Sequence, residues 1–333
     1  MKPPRFRLAT LPTPLLPATR VQPAVGGPPL WIKRDDLNGF GTAGNKARAL
    51  EYLVGDALAG GADTLVTGGG PGSNFCAAAA AAARAAGLGC RILYAGPAKP
   101  RHPNVAAAQA AGAEVTFTGR PDREELDEAI PALAAELTEA GRRPYAMPRG
   151  GATAVGALGY VEAYRELANQ LGDEAVEPGV IVVATGSGGT LAGLLAGRRT
   201  ESGCRGGGWR IVGATVSRPP ADIQDTVAGL VGALVGIGEV PEIVDARGPG
   251  FGVPSPEGER AARVGWATEG LVLDSTYTAK AFAVVLDVMA SGYDHPIVFW
   301  HTGGGNAGGR HPAGRRRPAN DAEERSTPCP TPT

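Results

Sequence analysis

From residue 30 to residue 300, short β-branched runs alternate with helix-forming stretches, and few folds accommodate such an alternation. Strand candidates lie at 30–33, 64–67, 91–94, 114–117, 180–184, 210–215 and 297–300. Helix candidates fall between them, at 46–59, 74–86, 103–110, 123–140, 157–171, 190–198, 220–234, 257–267 and 277–290. Strand, crossover helix and next strand together build a parallel sheet with helices on both faces. The runs VIVVA at 180–184 and IVFW at 297–300 are continuously apolar, as strands buried on both faces are. The expected fold class is therefore α/β, an open, mostly parallel twisted sheet with helices on both faces.

A chain of 333 residues that is 43% hydrophobic and 20% charged has enough apolar mass for a sizeable core. Its length fits about two domains. A net charge of −1 argues against a general nucleic-acid binder, which needs a basic surface. No apolar run reaches the roughly 18 residues of a membrane helix. The N-terminal MKPPRFRLATLPTPLL is interrupted by Pro and Thr and does not read as a signal peptide. The 4 cysteines form no CxxC and no zinc-finger spacing, so no metal site and a reducing, cytoplasmic setting are expected. After Trp300 the sequence turns rich in Pro, Arg and polar residues, and a disordered or loosely attached tail is expected.

Three Gly-rich loops carry the candidate chemistry. Thr185-Gly186-Ser187-Gly188-Gly189-Thr190 follows the strand at 180–184 and opens a helix. Backbone N–H groups at a helix N-terminus cradle an anion, and phosphate fits there. Leu191 occupies the third position of a dinucleotide fingerprint and no Gly-Lys-Ser/Thr follows, so the phosphate belongs to something smaller than NAD or ATP. A structural tight turn is the alternative. The second loop places Lys46 at a helix start, where the helix dipole disfavours its ammonium; a neutral amine there can form a Schiff base. A surface lysine is the alternative. The third, Gly68-Gly69-Gly70-Pro71-Gly72-Ser73-Asn74, can hold a carboxylate through N–H groups and the Ser73 hydroxyl, or Ser73 can simply cap the next helix. In doubly wound sheets ligands bind at such strand ends. A phosphate, a carboxylate and a lysine together fit pyridoxal phosphate with an amino-acid substrate.

These residues also carry a resemblance. Lys33-Arg34-Asp35-Asp36-Leu37 followed by Gly44-Asn45-Lys46-Ala47-Arg48-Ala49-Leu50-Glu51 is similar to the KRDDL…GNKxRxLE stretch of the fold type II pyridoxal-phosphate enzymes, in the D-cysteine desulfhydrase and 1-aminocyclopropane-1-carboxylate (ACC) deaminase group. Residues 150–160, 184–194, 270–280 and 301–304 resemble four further motifs of that group, in the same order. The resemblance implies a tryptophan-synthase-β-like fold. It implies a large cofactor-binding domain of residues 1–47 and 158–302, a smaller inserted α/β domain of 48–157, and a tail of 303–333. Lys46 would carry pyridoxal phosphate and move the substrate Cα proton. Asn74 would bond the cofactor 3′-oxygen, residues 185–190 would hold its phosphate, and Thr278 with Thr302 would meet its ring nitrogen. Ser73 and Tyr277 would act on the substrate, beside Asn74, Phe75 and Phe251.

A neutral hydroxyl at 278 does not enforce a charged ring, which suits β-elimination or β-replacement. ACC deaminases resemble Glu and Leu where this chain has Thr278 and Thr302, so the D-cysteine desulfhydrase type is the nearer likeness. The group's QSNH stands here as Gly72-Ser73-Asn74-Phe75, its GYG as Gly250-Phe251-Gly252, and its PVY as Ser275-Thr276-Tyr277. The expected activity is β-elimination on a small amino acid, D-cysteine first, in a cytoplasmic homodimer without nucleic-acid or membrane partners. The alternatives are β-replacement, ACC deamination, L-cysteate sulfo-lysis, or cofactor binding with little catalysis. His301 and Cys76 read as core residues, Cys329 as an exposed thiol, and Asp35 and Asp36 as structural hydrogen-bond groups.

Overall fold

The computed structural model describes residues 3–122, 125–201 and 208–304. In chain order the elements begin with β1 (Leu15–Pro17), α1 (Val21–Val25), β2 (Leu30–Arg34), α2 (Asn45–Ala59), β3 (Thr64–Gly69), α3 (Asn74–Ala85) and β4 (Gly89–Tyr94). Next come α4 (Pro103–Ala110), β5 (Glu114–Phe117), α5 (Glu125–Glu139), β6 (Pro144–Ala146), α6 (Ala154–Asp173), β7 (Val180–Thr185) and α7 (Gly189–Thr200). The rest are β8 (Arg210–Thr215), α8 (Pro220–Val235), β9 (Glu242–Asp245), α9 (Pro256–Glu269), α10 (Thr278–Ala290) and β10 (Ile297–His301).

The strands form two sheets. One runs β1-β2-β10-β7-β8-β9 and the other β5-β4-β3-β6. Every pairing is parallel except β1 with β2. The expected α/β class is therefore observed, with all seven expected strands in place. The alternation of side chains along a strand explains the two-sided burial. Val180, Val182 and Ala184 face a core shared with α9 and α10, whereas Ile181 and Val183 face a core shared with α6, α7 and α8. The Ala-rich α3 packs its small side chains into a third core under the four-stranded sheet, with Cys76 buried among them.

Three strands and one helix were not legible beforehand. β1, β6 and β9 have 3, 3 and 4 residues and lie at sheet edges, and α1 is a single turn of 5. Such short edge pieces carry no period to read. The expected tail from 305 onward, Cys329 and the first two residues of the helix expected at 123–140 lie outside the described residues. No helix among the described residues is long and apolar enough to cross a membrane.

One buried ionic cluster joins β2, β10 and the segment before β1 to α2 and α6. Arg48 on α2 reaches Asp35 with Nη2 at 2.9 Å and Nε at 3.0 Å, and Glu166 on α6 with Nη2 at 2.8 Å and Nη1 at 3.0 Å. Lys33 Nζ donates to Glu166 at 2.5 Å, Gln170 at 2.6 Å and the Thr13 carbonyl at 2.7 Å. Tyr160 and Trp300 donate to Asp35 Oδ2 at 2.6 and 2.9 Å. Burial works against charge on Asp35 and Glu166, yet Arg48 and these donors hold both carboxyls below their ordinary pKa. Asp35 thus has the hydrogen-bond role expected from the sequence.

Removing one partner of such a cluster leaves uncompensated charge in the interior. Arg48→Met is expected to cost about 3–5 kcal/mol of folding stability, measured by denaturant unfolding. Because both carboxyls titrate below their unfolded values, their stabilisation is present at neutral pH and is lost as pH falls through the depressed folded values. The variant should therefore lose less of its remaining stability on acidification than the parent.

Candidate active site

Lys46 sits in the first turn of α2, and the chain entering that turn is held by the end of β10. Asn45 N donates to the Thr302 carbonyl at 2.8 Å. Gly44 has φ of 53°, and a Cβ there would lie 2.2 Å from the same carbonyl oxygen. Only glycine fits that approach. Lys46 Nζ has no hydrogen-bond or ion-pair partner among the described residues. Burial alone lowers its pKa to about 8. The sequence pointed to the helix dipole, whereas the structure attributes the shift to desolvation.

Lys46 shares a small recess with Gly150, Tyr160, Ser187, Gly189 and Thr190. Of the expected site residues, Lys46, Ser187, Gly189 and Thr190 line it and the others do not. Gly188, at φ of 94°, turns the chain from β7 into α7. The first N–H groups of that helix have no partner within it and carry its positive end. Asn45 Nδ2 donates to Thr190 Oγ1 at 3.0 Å, so the lysine turn and the phosphate-type loop are bonded to each other. Thr185 does not belong to the cradle by its side chain. It is buried, and its hydroxyl donates back to the Val183 carbonyl at 3.3 Å. Of the expected cofactor-binding residues 185–190, Thr185 is thus the one whose hydroxyl is turned back onto its own strand.

Above Gly186 stands the Tyr277 ring, 3.1 Å from where a Cβ would be. Phe251 meets Tyr277 edge-on, with ring centroids 5.8 Å apart and an interplanar angle of 79°. Lys280 holds the Phe251 loop from below, donating to the Arg247 and Gly250 carbonyls at 2.7 and 2.8 Å. The two aromatic residues expected on the substrate side are therefore neighbours of each other and of the Gly186 loop.

At the start of α3, Ser73 accepts from Cys76 N at 3.2 Å, the capping role weighed beforehand. Its hydroxyl proton has no acceptor among the described residues. Asn74 is oriented by a residue the sequence did not single out. Asn104, 1% exposed, donates from Nδ2 to the Gly72 carbonyl at 3.0 Å and to Asn74 Oδ1 at 2.9 Å. A carbonyl only accepts, so the Asn104 nitrogen is fixed. The Asn74 atom facing that nitrogen must then be its oxygen, which leaves the Asn74 amide nitrogen as a free donor. Phe75 is not placed for a ligand. It is 2% exposed, in a core with Leu53, and its ring lies 2.5 Å from where a Cβ on Gly151 would be. Successive residues of a helix are rotated by about 100° from one another, so Phe75 packs inward although it follows Asn74, and the expected substrate contact is replaced by a core role.

Thr278 is fully buried at the start of α10. Its Oγ1 donates to Asp274 Oδ2 and accepts from Asp274 N, both at 2.8 Å. Thr302 is buried, with its carbonyl committed to Asn45. His301 is a core residue, as expected. It is 1% exposed, its Nδ1 accepts from Gly303 N at 3.3 Å, and burial lowers its pKa to about 4.

A parallel α/β sheet, an amine without a counter-charge and a bonded anion cradle define the class of lysine-anchored phosphate-cofactor enzymes. Residues 6–303 match the family model of the pyridoxal-phosphate dependent enzymes, and the chain belongs to that family. It is 36% identical over 318 residues to the D-cysteine desulfhydrase of Salmonella newport (strain SL254), covering 91% of this chain and 95% of that one. The D-cysteine desulfhydrase of Salmonella paratyphi A is 37% identical over 320 residues, with the same coverage. The crystal structure of an ACC deaminase homologue superposes with a TM-score of 0.82 at 36% identity, over 92% of this chain and 93% of that one. A fungal L-serine ammonia-lyase from Rhizomucor miehei shares the fold alone, with a TM-score of 0.67, 18% identity, and 90% of this chain and 95% of that one covered.

The residues present fit pyridoxal phosphate, the family's cofactor. Lys46 supplies an amine that neutralises near pH 8, and the start of α7 supplies N–H donors with no helical partner. At pH 8 about half of Lys46 is neutral, against under about 1% for an ordinary lysine. An amine-directed acylating reagent at pH 8 is therefore expected to label Lys46 faster than Lys33, Lys99 or Lys280. Peptide mass spectrometry over a short time course checks this.

Proposed function

We propose that this chain is a pyridoxal-phosphate-dependent lyase that eliminates a β-substituent from a small amino acid, with D-cysteine as the leading substrate. The products are then pyruvate, ammonia and sulfide, with one water consumed. The observation that carries the reading is Lys46, an unpaired amine bonded through its own turn to the Thr190 loop. The 36% identity to D-cysteine desulfhydrase supports the choice of substrate.

When bound, the cofactor supplies an electron sink for negative charge on the substrate Cα. The chain's own residues do the rest. Lys46 Nζ would hold the cofactor and, once released from it, would take the proton from the substrate Cα. Loss of that proton lets the β C–S bond break and sulfide leave. The Gly186–Thr190 turn holds the phosphate, with the Ser187 and Thr190 hydroxyls beside its N–H groups. The free Asn74 amide nitrogen donates to the 3′-oxygen, and Ser73 donates to the substrate carboxylate. Tyr277 faces the substrate side chain, with Phe251 closing the pocket behind it. Residues 1–47 and 158–302 would form the large cofactor domain and 48–157 the inserted one; the six-stranded and four-stranded sheets support that division. A cytoplasmic homodimer completes the proposal, and light scattering on the purified protein tests its oligomeric part.

The purified protein with pyridoxal phosphate is expected to be yellow, to shift its visible band on adding D-cysteine, and to release pyruvate. Lys46→Ala should lose pyruvate formation by about 10²–10⁴-fold or more and should retain no borohydride-fixed cofactor. A yellow parent protein that D-cysteine leaves unchanged moves the substrate to another amino acid. A parent that takes up no cofactor overturns the proposal. Asn104→Ala frees the Asn74 amide to rotate and should weaken cofactor affinity about tenfold, the worth of one oriented hydrogen bond. Equilibrium titration of the apoprotein with pyridoxal phosphate measures it.

A further inference from the structure

The recess around Lys46 is almost shut. Its volume is about 10 Å³, room for a single water. Pockets that take a small molecule or a cofactor run to about 300–1,000 Å³. A ring and a phosphate do not enter this recess as it stands, so one of its walls has to move.

Three of the walls are held. Asn45 and Lys46 belong to the first turn of α2, which the Thr302 carbonyl and the Arg48 cluster grip from both sides. Ser187, Gly189 and Thr190 belong to the turn from β7 into α7, and Asn45 bonds Thr190 at 3.0 Å. Tyr160 on α6 is bonded to Asp35 at 2.6 Å. The fourth wall is the segment between β6 and α6, through Gly150 and Gly151.

That segment lies directly on the anion cradle. A Cβ on Gly150 would be 2.7 Å from Ser187 Oγ and 2.8 Å from Ser187 Cβ, and a Cβ on Gly189 would be 3.3 Å from Ala152 Cα. No hydrogen bond joins residues 150–152 to residues 186–190 among the described residues. The contact is van der Waals packing, in which each atom pair contributes little. The bonds of the segment run elsewhere. Met147 N donates to the Val66 carbonyl at 2.8 Å, and Arg149 grips both oxygens of Asp127 on α5 at 2.8 and 2.6 Å. Gly150 and Gly151 have φ of 74° and 66°. Two consecutive left-handed glycines change their backbone angles with little strain, as a hinge must. Phe75 seats Gly151 from the core side.

We propose that residues 149–152 form an autoinhibitory strap over the Lys46 recess, and that pyridoxal phosphate is admitted only when the strap lifts off the Ser187 turn. The inference rests on the proposed reading that Lys46 holds this cofactor. Gly150 packs against the Ser187 hydroxyl, so an anion bonded to that hydroxyl displaces the strap. Lifting it opens the Ser187 and Thr190 hydroxyls, the first N–H groups of α7 and the lysine to one another. Strap and cofactor therefore exclude each other. The fraction of free protein with the strap down lowers both the apparent affinity and the rate of uptake.

Ala152→Cys combined with Gly189→Cys tests the strap directly. A Cβ on Gly189 would lie 3.5 Å from Ala152 Cβ, a spacing that a disulfide spans. Oxidised without cofactor, the pair ties the closed strap to the cradle. Uptake of pyridoxal phosphate, followed by its visible band, should then be about 100-fold slower than in the same protein reduced, and dithiothreitol should restore it. Cofactor loaded first should in turn keep the two thiols from pairing, which peptide mass spectrometry reads without any turnover. Gly150→Ala leaves the thiols out. A left-handed alanine disfavours the closed strap by about tenfold, and uptake should quicken by that factor. Equal uptake by the oxidised and reduced pair overturns the proposal, as does pairing that bound cofactor does not slow. So does uptake by Gly150→Ala no faster than the parent's. A parent that takes up no cofactor overturns the reading of Lys46 and the strap with it, whereas normal parent uptake with any of these three results strikes the strap alone.

Discussion

The Arg48 guanidinium bonded to Asp35 and Glu166 is the interaction on which the rest of the structure depends. Charges inside a protein persist only when each is met by an opposite charge or by donors in good geometry. Here that condition links five pieces of chain: the Thr13 segment, β2 through Lys33 and the residue after it, α2, α6 and β10. Arg48 lies two residues after Lys46. The helix turn that presents the lysine is thus fixed from below by the ionic cluster and from above by the Thr302 carbonyl. The lysine itself is left unpaired between them, and its lowered pKa follows from that isolation.

The site is assembled by groups whose hydrogen-bond sense is forced. The Gly72 carbonyl can only accept, so it fixes Asn104, which fixes Asn74. The backbone N–H groups at 276–278 can only donate, so they fix Asp274 as an acceptor, and Asp274 fixes the Thr278 hydroxyl. In both cases a rigid main-chain group dictates the orientation of a side chain one step removed. Preorganisation of this kind needs no bound ligand, and it spares the reorganisation that water would require during reaction.

The sequence exposes what is local. VIVVA marks β7 because five consecutive apolar residues leave no polar face, and the Gly-rich turn after it marks the anion cradle for the same short-range reason. The edge strands β1 and β9 escape notice because three or four residues, most of them exposed, show no pattern. Phe75 was misplaced because its neighbours Ser73 and Asn74 suggested a common destination, whereas helix geometry sends it into the core. Asn104 acts on a residue 30 positions away, which no spacing rule reaches. Asp274 and Thr278 were the readable pair, four residues apart at a helix start, with a carboxylate and a hydroxyl in the order of a capping turn.

The pairing of β2 with β10 has a bearing on how the protein is made. Trp300 bonds Asp35 across 265 positions, and the carbonyl that steadies the lysine turn belongs to residue 302. A ribosome adds about 5–20 residues per second. Lys46 therefore leaves the exit tunnel roughly ten to fifty seconds before its support exists. During that interval the amine stands in water as an ordinary lysine, almost wholly charged and so a slow nucleophile towards aldehydes. Cofactor capture by a preorganised lysine thus becomes a late event of biosynthesis, one that waits for β10.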